Sequence, residues 1–241
     1  MPILAVDAGN TRIKWGLWED RGFIAQGAVL ALRVSELGDA LHGLARADRA
    51  IGCAVAAASV RAQIEQALSP CGLAPQWIVS RDRQCGVVSR YTQPEQLGAD
   101  RWAALIGARA RHPGACVVAD VGTAVTIDAL TAAGEFLGGL ILPGPDLMAQ
   151  ALASGTAGLP RQSGRLEPFP TSTASGIFSG AVQAICGVIE RIERALTARG
   201  ETAPQIILTG GGGELVASAL ARPVTLAPNL VLEGLIAIAR S

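Results

Sequence analysis

Ala5-Val6-Asp7-Ala8-Gly9-Asn10-Thr11-Arg12-Ile13-Lys14-Trp15-Gly16 decides how the rest of the chain is read. An apolar run ends in an acid, turns through a glycine among small polar residues, and leaves as a second alternating run. That pattern is strand, tight turn, returning strand. Its echo lies in the second half of the chain, at Val118-Ala119-Asp120-Val121-Gly122-Thr123-Ala124-Val125-Thr126-Ile127-Asp128, where Asp120 matches Asp7 and Gly122 matches Gly9. Each turn is followed by a further hairpin-like segment. The chain therefore reads as two copies of one β-rich unit, with the two acidic turns facing each other across a cleft.

The residue types at these turns suit a phosphate ligand. Glycine lets a phosphate approach the backbone, and consecutive turn amides form a concave anion site. Asn10, Thr11, Thr123 and Thr126 add donors. The acids repel phosphate but suit its counter-ion, because magnesium takes carboxylate oxygens and retains water. A single D-x-G can equally mark a plain hairpin turn; the matched pair favours a nucleotide held with its metal.

Composition narrows the class. Of 241 residues, 50% are hydrophobic and 17% charged, which suits one large or two modest domains and excludes a disordered chain. Net charge is zero, so there is no electrostatic footprint for nucleic acid or an anionic membrane. Lys14 is the one lysine. The five cysteines are widely spaced with no C-x-x-C pair, which argues against structural zinc and a disulfide framework. The N-terminus opens on a strand rather than a signal peptide, and no apolar stretch reads as membrane-spanning. The expected location is the cytoplasm.

In chain order, strands are expected at 3–7, 12–18 and 23–30, then a helix from Ser35 with Leu37, Leu41 and Leu44 on one face and His42 beside them. A buried strand at 51–57, a helix capped by Ser59 and a strand at 76–80 follow. Residues 81–93, with Tyr91, read as irregular, and Pro94 opens a helix through Arg111. Pro113-Gly114 marks the boundary between a domain at 1–113 and a second at 114–241. The second half repeats the plan: strands at 115–120, 123–129, 134–142 and 205–209, helices at 145–153, 174–199 and 215–220, and a last helix capped by Asn229. Residues 154–172 read as a ligand-contacting loop. The β-β-β-α-β-α-β order resembles a ribonuclease-H-like half-domain. The fold class is thus α/β: two tandem ribonuclease-H-like domains of the actin-like ATPase type, mixed sheets flanked by helices.

Histidines occur only at 42 and 112, in settings that suit neither a Ser-His-Asp triad nor a histidine-ligated metal. Any general base is then a carboxylate. Asp100, beside Arg101 after Gly98-Ala99, is the best candidate: the arginine can hold an anionic group and the acid can accept a hydroxyl proton. The competing reading is an acid in a first helical turn, favoured by the helix dipole. Gly210 to Gly213 can let a ribose and base lie on the backbone, or can be a tight strand-to-helix connection.

Four motifs occur together and in order: D-x-G-N-T at Asp7–Thr11, G-A-D-R at Gly98–Arg101, D-x-G-T-A at Asp120–Ala124, and G-G-x-I-x-P-G at Gly138–Gly144. With T-x-x-x-x-x-S-G at Thr173–Gly180, the chain resembles a type III pantothenate kinase of the actin-like ATPase superfamily, nearly end to end. The resemblance implies ATP-dependent phosphorylation of pantothenate, the first step towards coenzyme A, by a homodimer. It implies that Asp7, Ala8, Gly9, Asn10, Thr11, Arg12, Ile13 and Lys14 form the first phosphate loop, with Asp7 near magnesium. Thr123 would contact ATP phosphate, and Asp120 would hold a monovalent cation, potassium or ammonium. Tyr91, Gly98, Ala99, Asp100 and Arg101 would line the pantothenate pocket with Thr173, and Asp100 would be the base. Ser172 stands where many relatives carry asparagine. Two rival readings share the phosphate features: a phosphohydrolase of the same fold, and a nucleotide-binding accessory factor in gene regulation, as some relatives were named.

Overall fold

The computed structural model describes residues 1–41, 47–156 and 164–241. The expected positions of His42 and Leu44, and part of the 154–172 loop, lie outside the described residues. The chain divides into two compact units, Met1–Arg111 with Asn229–Ser241, and His112–Pro228.

Unit 1 opens with β1 (Ile3–Ala8), β2 (Arg12–Glu19) and β3 (Gly22–Leu30), then α1 (Glu36–Leu41), β4 (Arg49–Ala54), α2 (Ala58–Leu68) and β5 (Pro75–Trp77). A short hairpin, β6 (Arg83–Gln84) and β7 (Val87–Ser89), leads to α3 (Ala99–Arg111). Unit 2 contains β8 (Cys116–Val121), β9 (Ala124–Leu130), β10 (Glu135–Pro143), α4 (Pro145–Gly155), α5 (Thr173–Ala198), β11 (Gln205–Thr209), α6 (Gly213–Ala219) and β12 (Thr225–Leu226). The chain ends in α7 (Leu230–Arg240).

The repeat seen in the sequence is a repeat of topology. Unit 1 orders its sheet β3-β2-β1-β4-β5, and unit 2 runs β10-β9-β8-β11-β12. In each copy the first strand is antiparallel to the second and parallel to the fourth. Asp7 is in register with Lys14 on one side and Cys53 on the other; Asp120 is in register with Thr126 and Thr209. Side chains alternate along a strand. Leu4, Val6 and Ala8 enter a core with Ile13, Trp15, Leu37, Ile64 and Leu68. Val117, Ala119 and Val121 enter another with Ile127, Val182, Ile185, Ile189 and Leu208. Alternation therefore sends both acids to the opposite face of their sheets.

Several local expectations change. The helix after 57 starts at Ala58, with Ala57 at the N-cap and no side-chain cap, so Ser59 lies inside the first turn. Residues 83–89 are a hairpin rather than irregular chain. Its two turn residues, Cys85 (φ 46°) and Gly86 (φ 79°), both adopt the left-handed conformation a two-residue turn needs; the cysteine masks that signal. Pro94 begins a single 3₁₀ turn, Pro94–Gln96, and extended Leu97 breaks the chain before α3. β12 has no counterpart among the expected strands. Helix α5, 26 residues long with an 18-residue window of mean hydropathy 1.2, is long and apolar enough to cross a membrane by length and composition alone, a test that the core helix of a soluble protein also passes. Its Val182, Ile185 and Ile189 are buried against the unit 2 sheet.

The division at 113/114 assigned residues 229–241 to the second domain; they pack in unit 1 instead. Helices α3 and α7 lie against each other, with Trp102, Leu105 and Ile106 buried on one and Leu230, Leu235 and Ile236 on the other. The approach is set by two glycines. A Cβ on Gly234 would overlap the Ala103 carbonyl, and one on Gly107 would overlap the Leu230 carbonyl. Arg111 grips Glu233 with two hydrogen bonds at the end of the contact. Asn229 does occupy the N-cap of α7, but its side chain donates to Gln26 Oε1 (2.7 Å) instead of capping.

Candidate active site

In unit 1 the first acidic turn and the start of α3 contribute polar groups to one neighbourhood. The β1–β2 turn closes with Gly9 N donating to Arg12 O (3.1 Å), and Thr11 O accepts from Ala31 N (3.0 Å). Buried Ala8 and Ile13 anchor the turn in the core, while Asn10, Thr11 and Arg12 are exposed. Lys14 is half-buried, cross-strand from Asp7. The end of β4 is pinned over β1, because Val55 N and Ala56 N both donate to Ala8 O at 3.2 Å.

Asp100 stands in the first turn of α3. Its Oδ1 accepts from Arg101 N at 2.7 Å, a favourable place for an anion at a helix N-terminus. A Cβ on Gly98 would lie 2.6 Å from the same oxygen, so the glycine of G-A-D-R makes room for the carboxylate. Arg101 is buried, unusual for a guanidinium. Its Nη1 donates to Tyr91 Oη (3.1 Å), and its Cζ lies 5.8 Å from the Tyr91 ring centroid. The turn that aims α3 is held by Ser80 Oγ donating to Leu97 O (2.8 Å) and by Trp102 Nε1 donating to Gln84 Oε1 (3.0 Å). The hairpin missed in the sequence thus positions α3.

Cys53 joins the two acids. It is fully buried, and its Sγ donates to Asp7 Oδ1 at 3.4 Å. Burial, then the charges of Asp7 and Asp100, push its thiol well above the usual range. A Cβ on Gly98 would lie 3.8 Å from Val55 Cγ1, and Val55 N bonds the Ala8 carbonyl, so the start of α3 meets the end of β1 and Asp7 and Asp100 belong to one site. Sequence reasoning missed Cys53, because nothing local in the chain shows the parallel register of β1 and β4 that sets it beside Asp7.

Unit 2 assembles the second acidic turn. Gly122 N donates to Ala124 O (3.1 Å) and Gly144 N to Thr123 O (2.8 Å). A Cβ on Gly144 would lie 2.6 Å from Thr123 O, so the last glycine of G-G-x-I-x-P-G permits backbone contact with this turn. Gly212 N donates to Val121 O (2.9 Å), and Gly210, at φ 83°, has backbone against Asp120 and Val121. The glycine run therefore lies beside Asp120, with Thr123 exposed at the turn. Thr173 is exposed at the first position of α5, and Ser172 caps that helix, accepting from Ser175 N at 3.2 Å.

Among the described residues no group of three or more His, Cys, Asp or Glu could hold a metal. Magnesium bound through one or two carboxylates, waters and substrate phosphates needs no such group. Asp7 beside a turn of exposed donors fits that role, and Asp120 among closely packed turn backbone fits a monovalent ion.

Comparisons by sequence agree on one family. A family model described as type III pantothenate kinase matches residues 3–195. A relative in Aromatoleum aromaticum named type III pantothenate kinase is 47% identical over 238 residues, covering 99% of this chain and 98% of the relative. A Nitrosomonas eutropha protein of the same name is 44% identical over 244 residues, covering 99% and 95%. Solved structures share the fold. A putative Baf family transcriptional activator from Campylobacter jejuni superposes at TM-score 0.65 with 19% identity, covering 98% of this chain and 97% of that one. A putative 2-dehydro-3-deoxygalactonokinase from Sinorhizobium meliloti superposes at 0.59 with 17% identity, covering 99% and 98%. The fold is that of the actin-like ATPases and sugar kinases.

Proposed function

The chain belongs to the type III pantothenate kinase family, and from that premise we propose that it transfers the γ-phosphoryl group of ATP to the primary hydroxyl of pantothenate. The product is 4'-phosphopantothenate, and the reaction opens coenzyme A biosynthesis. The observation that carries the reading is the unit 1 site, where Val55, bonded to the Ala8 carbonyl, packs against Gly98, so that the helix-terminal carboxylate Asp100 shares a neighbourhood with Asp7 next to a buried arginine held by Tyr91. That combination offers an acceptor pocket with a base and a cation in it, which suits an organic acid alcohol better than water.

Asp7 through Lys14 hold the phosphates, with Asp7 toward magnesium; Thr123 contacts phosphate and Asp120 holds potassium or ammonium. When bound, these cations neutralise phosphate charge in a loose transition state, where positioning dominates. Arg101, kept in place by Tyr91, pairs with the pantothenate carboxylate, and Gly98 and Ala99 line the pocket in unit 1; in unit 2, Thr173 offers its exposed hydroxyl to substrate. The hydroxyl oxygen forms its bond to the γ-phosphorus as the bond to the β-phosphate oxygen breaks, ADP leaves, and the hydroxyl proton passes to the Asp100 carboxylate. The enzyme works in the cytoplasm as a homodimer, without nucleic acid or membrane. Exposed Leu140, Ile141, Leu147 and Phe169 of unit 2 offer apolar surface for the second copy.

ADP release tests the reading. Turnover is expected only with pantothenate present, and faster in potassium than in sodium buffer. Asp100→Asn is expected to bind ATP normally and to lose at least about 100-fold in transfer, the low end of a general base's contribution. Near-normal turnover in that variant rejects the assignment.

A further inference from the structure

We propose that Cys53 is a positioning residue, whose buried S–H orients the Asp7 carboxylate from the neighbouring parallel strand, and that Thr209 occupies the matching place beside Asp120. The inference rests on the reading of Asp7 as the magnesium-side acid. In-register residues on adjacent strands lie on one face about 4.8 Å apart, and Cys53 is in register with Asp7. The thiol is fully buried and donates to Asp7 Oδ1 at 3.4 Å. The strand that carries it cannot drift, because Val55 N and Ala56 N, just past its end, both bond the Ala8 carbonyl. A carboxylate turns about its last side-chain bond, and a donor fixed to one oxygen sets that angle before a cation arrives.

The second copy supplies an independent observation. Thr209 is in register with Asp120 on the corresponding parallel strand and is only 2% exposed. Both copies thus place a small, buried side chain with a hydrogen to donate at one register position beside the turn acid. If packing alone were selected there, an apolar residue would do in either copy. Outer partners of this kind typically account for 10–100-fold in metal affinity or activity.

The test compares Cys53→Ala, Cys53→Thr and Asp7→Asn in the full chain, using Mn²⁺ with ADP as the probe and electron paramagnetic resonance as the readout. Magnesium dependence of turnover, the KM for pantothenate and Tm are measured alongside. Cys53→Ala is expected to weaken Mn²⁺ binding in the ADP complex at least about 10-fold and to raise the half-saturating magnesium to match, with pantothenate KM unchanged within about two-fold. Cys53→Thr, which imports the donor of the second copy, is expected to recover most of the affinity. Wild-type Mn²⁺ affinity in Cys53→Ala, or equal loss in Cys53→Thr, overturns the proposal while Asp7→Asn still shows a metal defect. An Asp7→Asn variant with intact Mn²⁺ affinity overturns the underlying reading of Asp7 and the proposal with it.

Discussion

Gly234→Ala is the sharpest probe of how the last helix is seated. The added methyl has nowhere to go, since the atom it meets is the Ala103 backbone carbonyl on α3, not the end of a flexible side chain. Overpacking costs about 1–3 kcal/mol, and a backbone obstacle puts this site near the upper end, at about 3 kcal/mol. Replacing a helical glycine by alanine returns about 1 kcal/mol. The net expectation is a loss of about 2 kcal/mol, or a Tm lower by about 4–8 °C for a chain of this size. Because α3 carries Asp100 and Arg101 in its first turn, any parting of α3 and α7 also disturbs the acceptor pocket, and the pantothenate KM is expected to rise. Gly187→Ala, in the interior of α5 with nothing near the new methyl, is the control. It gains the propensity without the clash and is expected to be stabilised by up to about 1 kcal/mol. Thermal and urea melts of the two variants decide the matter. A Gly234→Ala protein as stable as the parent would refute the close-contact argument.

Two further outcomes follow from the described geometry. Burial, then the charge of Glu190, pushes the Cys186 thiol from 9.0 up to about 11. The folded state therefore keeps a proton that the unfolded chain has lost, so stability is full below pH 9 and falls as the pH rises towards 11; urea midpoints across that window, flattened in Cys186→Ala, check the sign. Ser172→Ala removes the cap on Ser175 N and is expected to cost about 1 kcal/mol, with Ser172→Asn near neutral, as read by urea melts.

Much of the fold is visible in the chain because its signals are local. The acid-glycine turns, the alternating runs on either side and the β11 strand at Gln205–Thr209 need only neighbouring residues to be recognised. The Asp100 site was legible through G-A-D-R, since its glycine and acid act on each other within one turn. Ser172 in place of asparagine changes little at the helix end, because serine and asparagine rank alike as N-caps. What stayed hidden has partners far away. The β6–β7 hairpin was obscured by a cysteine where a turn of this kind prefers asparagine or aspartate. Arg101 shows no sign in sequence that Tyr91 will hold it, nor Trp102 that Gln84 will.

By itself, the sequence determined that there are two copies of one unit, where each acid ends its strand, and which family the residues resemble. Only the tertiary structure decided that Cys53 lies against Asp7, because that contact depends on the register of two parallel strands separated by a hairpin and a helix. It alone decided that α7 packs in unit 1. An amphipathic helix exposes the same apolar stripe to any partner, and the choice falls to the close approach that Gly107 and Gly234 allow together.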